Sequence, residues 1–210
     1  MPDPRAGAAE TWDRNADRYA RQIRWQLQAA RRATALAAAT PGDRVLDLAT
    51  GTGLMLDLLL GRPGPPRSVV AIDRSSAMLA RLKPLPQGWR ALLADARSPP
   101  LDTGAFDLVL VAYLLQLLSA NDRTRVLVEL RRVLAPGGRV VTITPHVPRR
   151  GTCLLGAALL DAAATVAPAR LGGLRAHDPR DELVAAGFDL GHASRLRRGY
   201  PSLVVLASRP

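Results

Sequence analysis

The sequence predicts an α/β fold, a mostly parallel sheet of seven strands with helices on both faces. Apolar runs of strand length alternate with segments of helical spacing through the middle of the chain, a pattern typical of βαβ units. Residues 107–111 are apolar after their first position, as expected of a strand buried on both faces. A glycine turn follows the first predicted strand, at the edge where open parallel sheets bind ligands.

The predicted strands and helices follow from hydrophobic periodicity. The predicted strands are residues 45–49, 69–72, 90–93, 106–112, 138–144, 193–197 and 202–207. The predicted helices between them are residues 54–60, 76–82 and 120–134. We expect the last two strands to be antiparallel and to close one edge of the sheet.

Two domain-level segments are predicted. Residues 1–40 form an N-terminal helical cap, because Trp12, Tyr19 and Ile23 recur at helical spacing on one face, whereas Trp25 projects among arginines. Residues 41–210 form the main domain. An apolar insertion at about residues 149–176 is too short and too interrupted to span a membrane, and we interpret it as a helical lid over an apolar pocket.

Composition excludes several classes. The single cysteine, Cys153, cannot form an internal disulfide, and a Cys/His metal cluster is ruled out by count, so no metal is predicted. The net charge of +11 is spread as +3, +6 and +2 over residues 1–40, 41–150 and 151–210, which makes nucleic-acid binding an unfavoured interpretation. No signal peptide or membrane span is predicted, and we expect a cytoplasmic protein.

The strongest motif contains Asp47, Ala49, Thr50, Gly51 and Gly53, where a buried strand runs into a glycine turn that opens a helix. Glycines leave room for a ligand against the backbone, and a helix start offers N–H groups to an anionic oxygen. The motif therefore predicts a nucleotide-like ligand. A dinucleotide fingerprint needs a third glycine, and this chain has a leucine at that position, which disfavours NAD.

Asp73 ends the second predicted strand and is followed by Arg74. A carboxylate at this strand end can accept hydrogen bonds from ribose hydroxyls. The alternative is a helix N-cap before Ser75 and Ser76.

The spacing Asp47-x-Ala49-x-Gly51-x-Gly53 resembles the first motif of class I S-adenosylmethionine-dependent methyltransferases, which have a Rossmann-like fold. Ala49 stands where that family often has glycine. By overall pattern the chain most resembles the small-molecule methyltransferases of ubiquinone and menaquinone biosynthesis. The resemblance implies that Asp95 accepts from the adenine amino group and that the Ala96 backbone contacts the ring; a turn role for Asp95 is the alternative.

The resemblance therefore implies that S-adenosylmethionine is the cofactor and that a small organic molecule is the methyl acceptor. The implied donor-binding residues are Asp47, Ala49, Thr50, Gly51, Gly53, Asp73, Arg74, Asp95, Ala96 and Tyr113. If a general base is used, the candidates near the carboxyl edge are His146 first, then Tyr19, Tyr113 and, less favoured, His177.

Three alternatives remain at this stage. They are a nucleic-acid methyltransferase, a member of the fold that binds the donor without methylating, and an NAD oxidoreductase. The apolar insertion favours an apolar acceptor. The sequence does not determine the acceptor, the methylated atom or the oligomeric state.

Overall fold

The computed structural model describes residue 13 and residues 23–146, 175–197 and 200–210. Within these residues, seven strands form one sheet in the order β3-β2-β1-β4-β5-β7-β6. The strands are β1 Arg44–Leu48, β2 Ser68–Asp73, β3 Trp89–Leu93, β4 Phe106–Ala112, β5 Leu134–Pro145, β6 Asp189–Leu196 and β7 Ser202–Ser208. The chain therefore has the predicted Rossmann-like α/β fold.

Strand directions agree with the prediction. β1 is parallel to both β2 and β4, and the outer pairs β2 with β3 and β4 with β5 are also parallel. β7 is antiparallel to β5 and to β6, so the C-terminal strands close one edge. In consequence the carboxyl ends of β1 to β5 meet along one edge of the sheet.

Helices cover both faces of the sheet because strand side chains alternate between the faces. The described α-helices are α1 Leu27–Ala37, α2 Leu54–Leu60, α3 Ser76–Leu79, α4 Ala120–Val133 and α5 Arg180–Ala185, with short 3₁₀ helices at Ile23–Gln26 and Leu115–Leu117. α1 and α2 pack with Val45 and Leu108 in one apolar cluster. α4 and α5 pack with Leu46 and Val109 in the cluster on the opposite face.

Two strands, β5 and β6, begin four residues earlier than predicted. β5 begins at Leu134, directly after α4, and its pairing jumps from Phe106 opposite Leu134 to Leu108 opposite Arg139. The segment Pro136-Gly137-Gly138 is therefore a bulge inside β5, with Gly137 at φ 74°. β6 begins at Asp189. The prediction missed its first residues because their side chains are exposed and lack the apolar pattern that marks buried strands.

Some predicted features lie outside the described residues. They include Tyr19, most of the proposed N-terminal cap and the part of the lid over residues 149–174. The described part of the first 40 residues includes α1, whose Ala29, Ala33 and Ala37 are fully buried in the same apolar cluster as β1 and β4. This helix therefore contributes directly to the core of the sheet.

Candidate active site

An open cleft lies at the carboxyl ends of β1, β2, β3 and β4. Its empty space, including the mouth continuous with solvent, is about 870 Å³. The lining residues are Ala49, Gly51, Ile72, Asp73, Arg74, Met78, Ala94, Asp95, Ala96, Arg97, Ala112, Tyr113, Leu114, Leu117 and Leu118. The cleft combines two carboxylates with an extensive apolar wall.

The turn after β1 is held by hydrogen bonds within the protein. The Thr50 amide donates to the Ile72 carbonyl at 2.9 Å, and the Gly51 amide donates to Oδ2 of Asp73 at 2.8 Å. The Gly53 amide donates to the Thr50 carbonyl. These three amides are therefore occupied, contrary to the expectation that the turn presents free N–H groups to a ligand.

Gly53 has a structural reason to be glycine. Its φ is 86°, and a Cβ built there would lie 2.7 Å from the Leu82 side chain. Gly53 and Thr50 do not line the cleft, whereas Ala49 and Gly51 do. The turn thus presents part of its predicted residues to the cleft and packs the rest against neighbouring elements.

Asp73 ends β2 and is almost fully buried at the edge of the cleft. Its two carboxylate oxygens accept from the Gly51 amide at 2.8 Å and from the Ser75 amide at 2.9 Å. Burial raises the pKa of Asp73 while these backbone bonds oppose the rise. Ser75, not Asp73, is the helix N-cap, because its Oγ accepts from the Met78 amide. Asp73 therefore orients the turn, and its carboxylate oxygens keep further lone pairs that can accept from a ligand.

Asp95 follows β3 and lines the cleft. Arg97 binds both of its oxygens, with Nη2 at 2.5 Å from Oδ2 and Nε at 3.0 Å from Oδ1. Burial raises the pKa of Asp95, but the hydrogen bonds and charge of Arg97 outweigh it and lower the pKa overall. Sequence analysis missed Arg97, although its spacing of two residues from Asp95 was visible.

Asp47 lies beneath the turn and does not line the cleft. It is fully buried, and Thr50 Oγ1 donates to its Oδ2 at 2.6 Å. Its Oδ1 has no hydrogen-bond partner among the described residues. Burial raises the pKa of Asp47 to about 7, the Thr50 bond opposes the rise, and the nearby charge of Asp73 adds to it.

Tyr113 stands at the carboxyl end of β4 with φ 55°. Ser202 Oγ donates to the Tyr200 carbonyl, so the Tyr113 hydroxyl, 2.8 Å from Ser202 Oγ, donates to that oxygen. Burial raises the pKa of Tyr113 to about 12. This neutral phenol lines the cleft, but its hydroxyl proton is already directed to Ser202.

The histidine candidates lie beyond β5. The His146 amide donates to the Pro201 carbonyl, and His146 is not among the residues lining the cleft. His177 Nε2 lies 3.0 Å from Oε2 of Glu182, which Arg123 also binds. Arg123 in turn donates to the carbonyl of Leu118, a cleft residue. His177 is therefore linked to the cleft residue Leu118 through Glu182 and Arg123, and neither histidine lines the described cleft.

The arrangement suits an adenosyl group carrying a cationic sulfur. Carboxylates end β2 and follow β3, and the small residues Ala49, Gly51 and Ala94 leave space between them.

In the part of the chain that the structure describes, no group of three or more His, Cys, Asp and Glu residues could hold a metal ion. Across the same residues, no helix has the length and apolar character needed to cross a membrane.

Residues 45–138 match the family model of the methyltransferase domain. The matched segment runs from β1 through the turn, Asp73 and Asp95 to the beginning of β5. Over this segment the chain is therefore similar to the class of methyltransferase domains.

Individual relatives agree with this class. The chain is 41% identical over 137 residues to a demethylmenaquinone methyltransferase of Thermus thermophilus, a match covering 63% of this chain and 59% of that protein. The chain thus spans less than two thirds of that relative.

Solved structures show the same fold. The methyltransferase complex with the Haloferax volcanii Trm112 activator contains a chain with a TM-score of 0.77 at 17% identity, covering 95% of this chain and 97% of that one. A Burkholderia thailandensis 1,6-didemethyltoxoflavin N1-methyltransferase, solved with S-adenosylhomocysteine, gives a TM-score of 0.67 at 20% identity, covering 100% and 91% of the two chains.

Proposed function

We propose that this protein transfers a methyl group from S-adenosylmethionine to a small apolar acceptor with a quinone-type ring. The observation that carries the proposal is the cleft itself, in which Asp73 and Asp95 stand at two strand ends and Leu114, Leu117 and Leu118 form an apolar wall. The name of the Thermus thermophilus relative supports the class of acceptor.

The proposed donor site uses residues from three strand ends. Asp73 accepts from the ribose hydroxyls, and its backbone bonds to Gly51 and Ser75 hold it in place for that role. Asp95 accepts from the adenine amino group, and the Ala96 backbone contacts the ring. When bound, S-adenosylmethionine supplies an electrophilic methyl group on a positively charged sulfur. The protein's tasks are then alignment and exclusion of water.

The proposed acceptor site lies along the leucine wall. Leu117 is 37% exposed in the described structure, which places an apolar side chain at the mouth of the cleft. A flat apolar ring covering Leu117 would remove this surface from water, at roughly 25 cal/mol per Å² buried. The wall therefore favours an apolar acceptor over a charged one.

Proton removal from the acceptor, where the reaction requires it, needs a base near the cleft. Tyr113 is a poor general base, because its hydroxyl donates to Ser202 and its pKa is raised to about 12. Tyr113 instead contributes to the shape of the cleft wall. A base role for His146 stays a prediction: H146A is expected to slow turnover while leaving donor affinity unchanged, and a wild-type rate would remove His146 from the mechanism.

Donor binding is tested with Asp73→Asn, which preserves the size of the side chain. Titration calorimetry with S-adenosylhomocysteine should show affinity at least about 30-fold weaker, because loss of a charged hydrogen-bond acceptor costs roughly 2 kcal/mol. The matched control is Asp102→Asn, at an exposed carboxylate outside the cleft. Equal affinity of D73N and wild type would refute the ribose assignment.

Methyl transfer is tested by S-adenosylhomocysteine release, followed by mass spectrometry of the acceptor. The probe is a reduced naphthoquinone with one unsubstituted ring carbon, compared with an aliphatic amine and a short RNA. Methylation of the quinol, and its loss in Leu117→Asp, is the expected result. Donor binding with no methylation of any probe would contradict the proposed acceptor, and methylation of RNA would assign a different substrate class.

A further inference from the structure

Arg97 bridges two walls of the cleft. One wall is the segment after β3, where Arg97 binds Asp95 through Nε, Nη2 and its own backbone amide. The other wall precedes and begins α4, where Arg97 Nη1 lies 3.4 Å from Oδ1 of Asp122. Leu117 and Leu118 of the cleft immediately precede this helix.

Asp122 is itself fixed at the beginning of α4. Its amide donates to Oγ of Ser119, the N-cap, and Ser119 Oγ in turn lies 3.1 Å from Oδ2 of Asp122. The position of Arg97 is therefore determined from both sides, by Asp95 and by an anchored carboxylate. A guanidinium in such a fork holds a carboxylate in one orientation.

The same local motif occurs once more in the described residues, away from the cleft. Arg180 binds Asp178 through Nε, Nη2 and its backbone amide, with the same spacing of two residues. Two differences set Arg97 apart: it has the additional partner Asp122, and its side chain is 18% exposed against 37% for Arg180. The Arg180 pair thus provides an internal reference for the motif without the cleft.

We propose that Arg97 is a positioning residue for the methyl donor, which orients the Asp95 carboxylate toward the adenine amino group and thereby makes the cleft select adenine over hypoxanthine. The inference rests on the proposed donor site. Arg97 acts through Asp95, because its fork is already engaged by that carboxylate and by Asp122.

Adenine and hypoxanthine differ at the atom that Asp95 would meet. Adenine carries an amino group there, which donates to a carboxylate, whereas hypoxanthine carries a carbonyl oxygen, which repels one. A site built for a donor rejects the analogue that lacks it, because its own polar group is left unpaired. The rejection requires a charged and correctly oriented Asp95, and Arg97 provides both.

The charged groups facing Asp95 are Arg97 and Arg74, and Asp122 lies beyond Arg97. Burial raises the pKa of Asp95 and both arginines lower it. Without Arg97, burial still raises the pKa of Asp95, and only Arg74 and any remaining backbone hydrogen bond lower it. The carboxyl would then take up a proton at a higher pH than in the wild-type protein.

The experiment measures the affinities of S-adenosylhomocysteine and S-inosylhomocysteine for wild type, Arg97→Ala and Arg97→Lys. We expect the wild type to prefer the adenine compound by about 100-fold or more. R97A should reduce this preference to less than about tenfold, and R97K should be intermediate because lysine keeps the charge but loses the fork. The matched control Arg180→Ala should keep the wild-type preference.

A pH series separates positioning from simple structural support. As the pH is lowered, the affinity of R97A for S-adenosylhomocysteine should begin to fall at a higher pH than the affinity of the wild type, because Asp95 becomes protonated earlier. If R97A is poorly folded by circular dichroism, the R97K variant carries the same test. An unchanged preference and an unchanged pH profile in a folded Arg97 variant would overturn the proposal, whereas failure of the wild type to bind S-adenosylhomocysteine would refute the proposed donor site itself.

Discussion

Asp47 shows how burial controls a single titration. Its ordinary pKa near 3.8 rises to about 7 beneath the glycine turn, so the folded protein holds a proton that the unfolded chain releases. The folded state binds more protons between these values, and stability from this group is therefore present at low pH and is lost as pH rises from about 4 to about 7.

Asp47→Asn mimics the protonated carboxyl and should remove this dependence. When the pH is raised from about 5 to about 8, the free energy of unfolding of D47N should increase by roughly 3 kcal/mol relative to that of the wild type. Urea titrations at the two pH values measure this difference. The control is Asp189→Asn, at an exposed carboxylate of β6. A pH-independent difference between D47N and wild type would show that Asp47 is ionised throughout.

Ala49 has a backbone conformation that is unfavourable for a residue with a Cβ atom. Ala49 stands where the methyltransferase family often has glycine, and its φ of 60° lies in the left-handed region. Ala49→Gly should stabilise the protein by roughly 0.5 to 1 kcal/mol. Denaturant unfolding measures the change, and Ala35→Gly on the exposed side of α1 should instead destabilise by about 1 kcal/mol.

At the scale of elements, Arg139 joins the end of α1 to the sheet. Its Nε donates to the Ala37 carbonyl at 2.7 Å, Nη2 donates to the Ala38 carbonyl, and Nη2 also lies 2.7 Å from Oδ2 of Asp43. A cation at a helix C-terminus satisfies unpaired carbonyls and interacts favourably with the helix dipole. This contact links Arg139 of β5 to the last residue of α1, 102 residues earlier in the chain.

Arg139→Ala should therefore lower the free energy of unfolding by about 2 kcal/mol. Arg125→Ala, at an exposed position of α4, should change it by less than about 0.5 kcal/mol. The urea midpoint measures both. Equal small effects of the two substitutions would mean that α1 is held by its buried alanine face alone.

At the scale of the whole molecule, ligand binding should stabilise the fold by mass action. S-adenosylhomocysteine at about 100 times its Kd should add about 2.7 kcal/mol, which raises the Tm of a chain of this size by roughly 5 to 10 °C. NAD at the same concentration should leave the Tm unchanged, since the chain lacks the third glycine of a dinucleotide site. A larger shift with NAD would favour the oxidoreductase alternative.

The seven strands and the helices α2 to α4 could be predicted from the sequence alone, whereas α5 was not predicted. Buried parallel strands require unbroken apolar runs, and surface helices require a 3.6-residue period. Asp73 could be selected because it ends a recognisable strand, whereas Asp95 was selected through the resemblance to the methyltransferase family. Both lie in the cleft as expected. These features are local, and local patterns survive in a single sequence.

The tertiary structure decided which polar groups meet across the chain. Ser202 lies 89 residues from Tyr113, yet its Oγ accepts a hydrogen bond from the Tyr113 hydroxyl. Asp122 lies 25 residues from Arg97, yet its carboxylate accepts from the Arg97 guanidinium. The rise in the pKa of Asp47 follows from complete burial, which no spacing reveals. Such contacts depend on how separate elements pack, and the free energy of burying a charge or pairing it is set only when those elements come together.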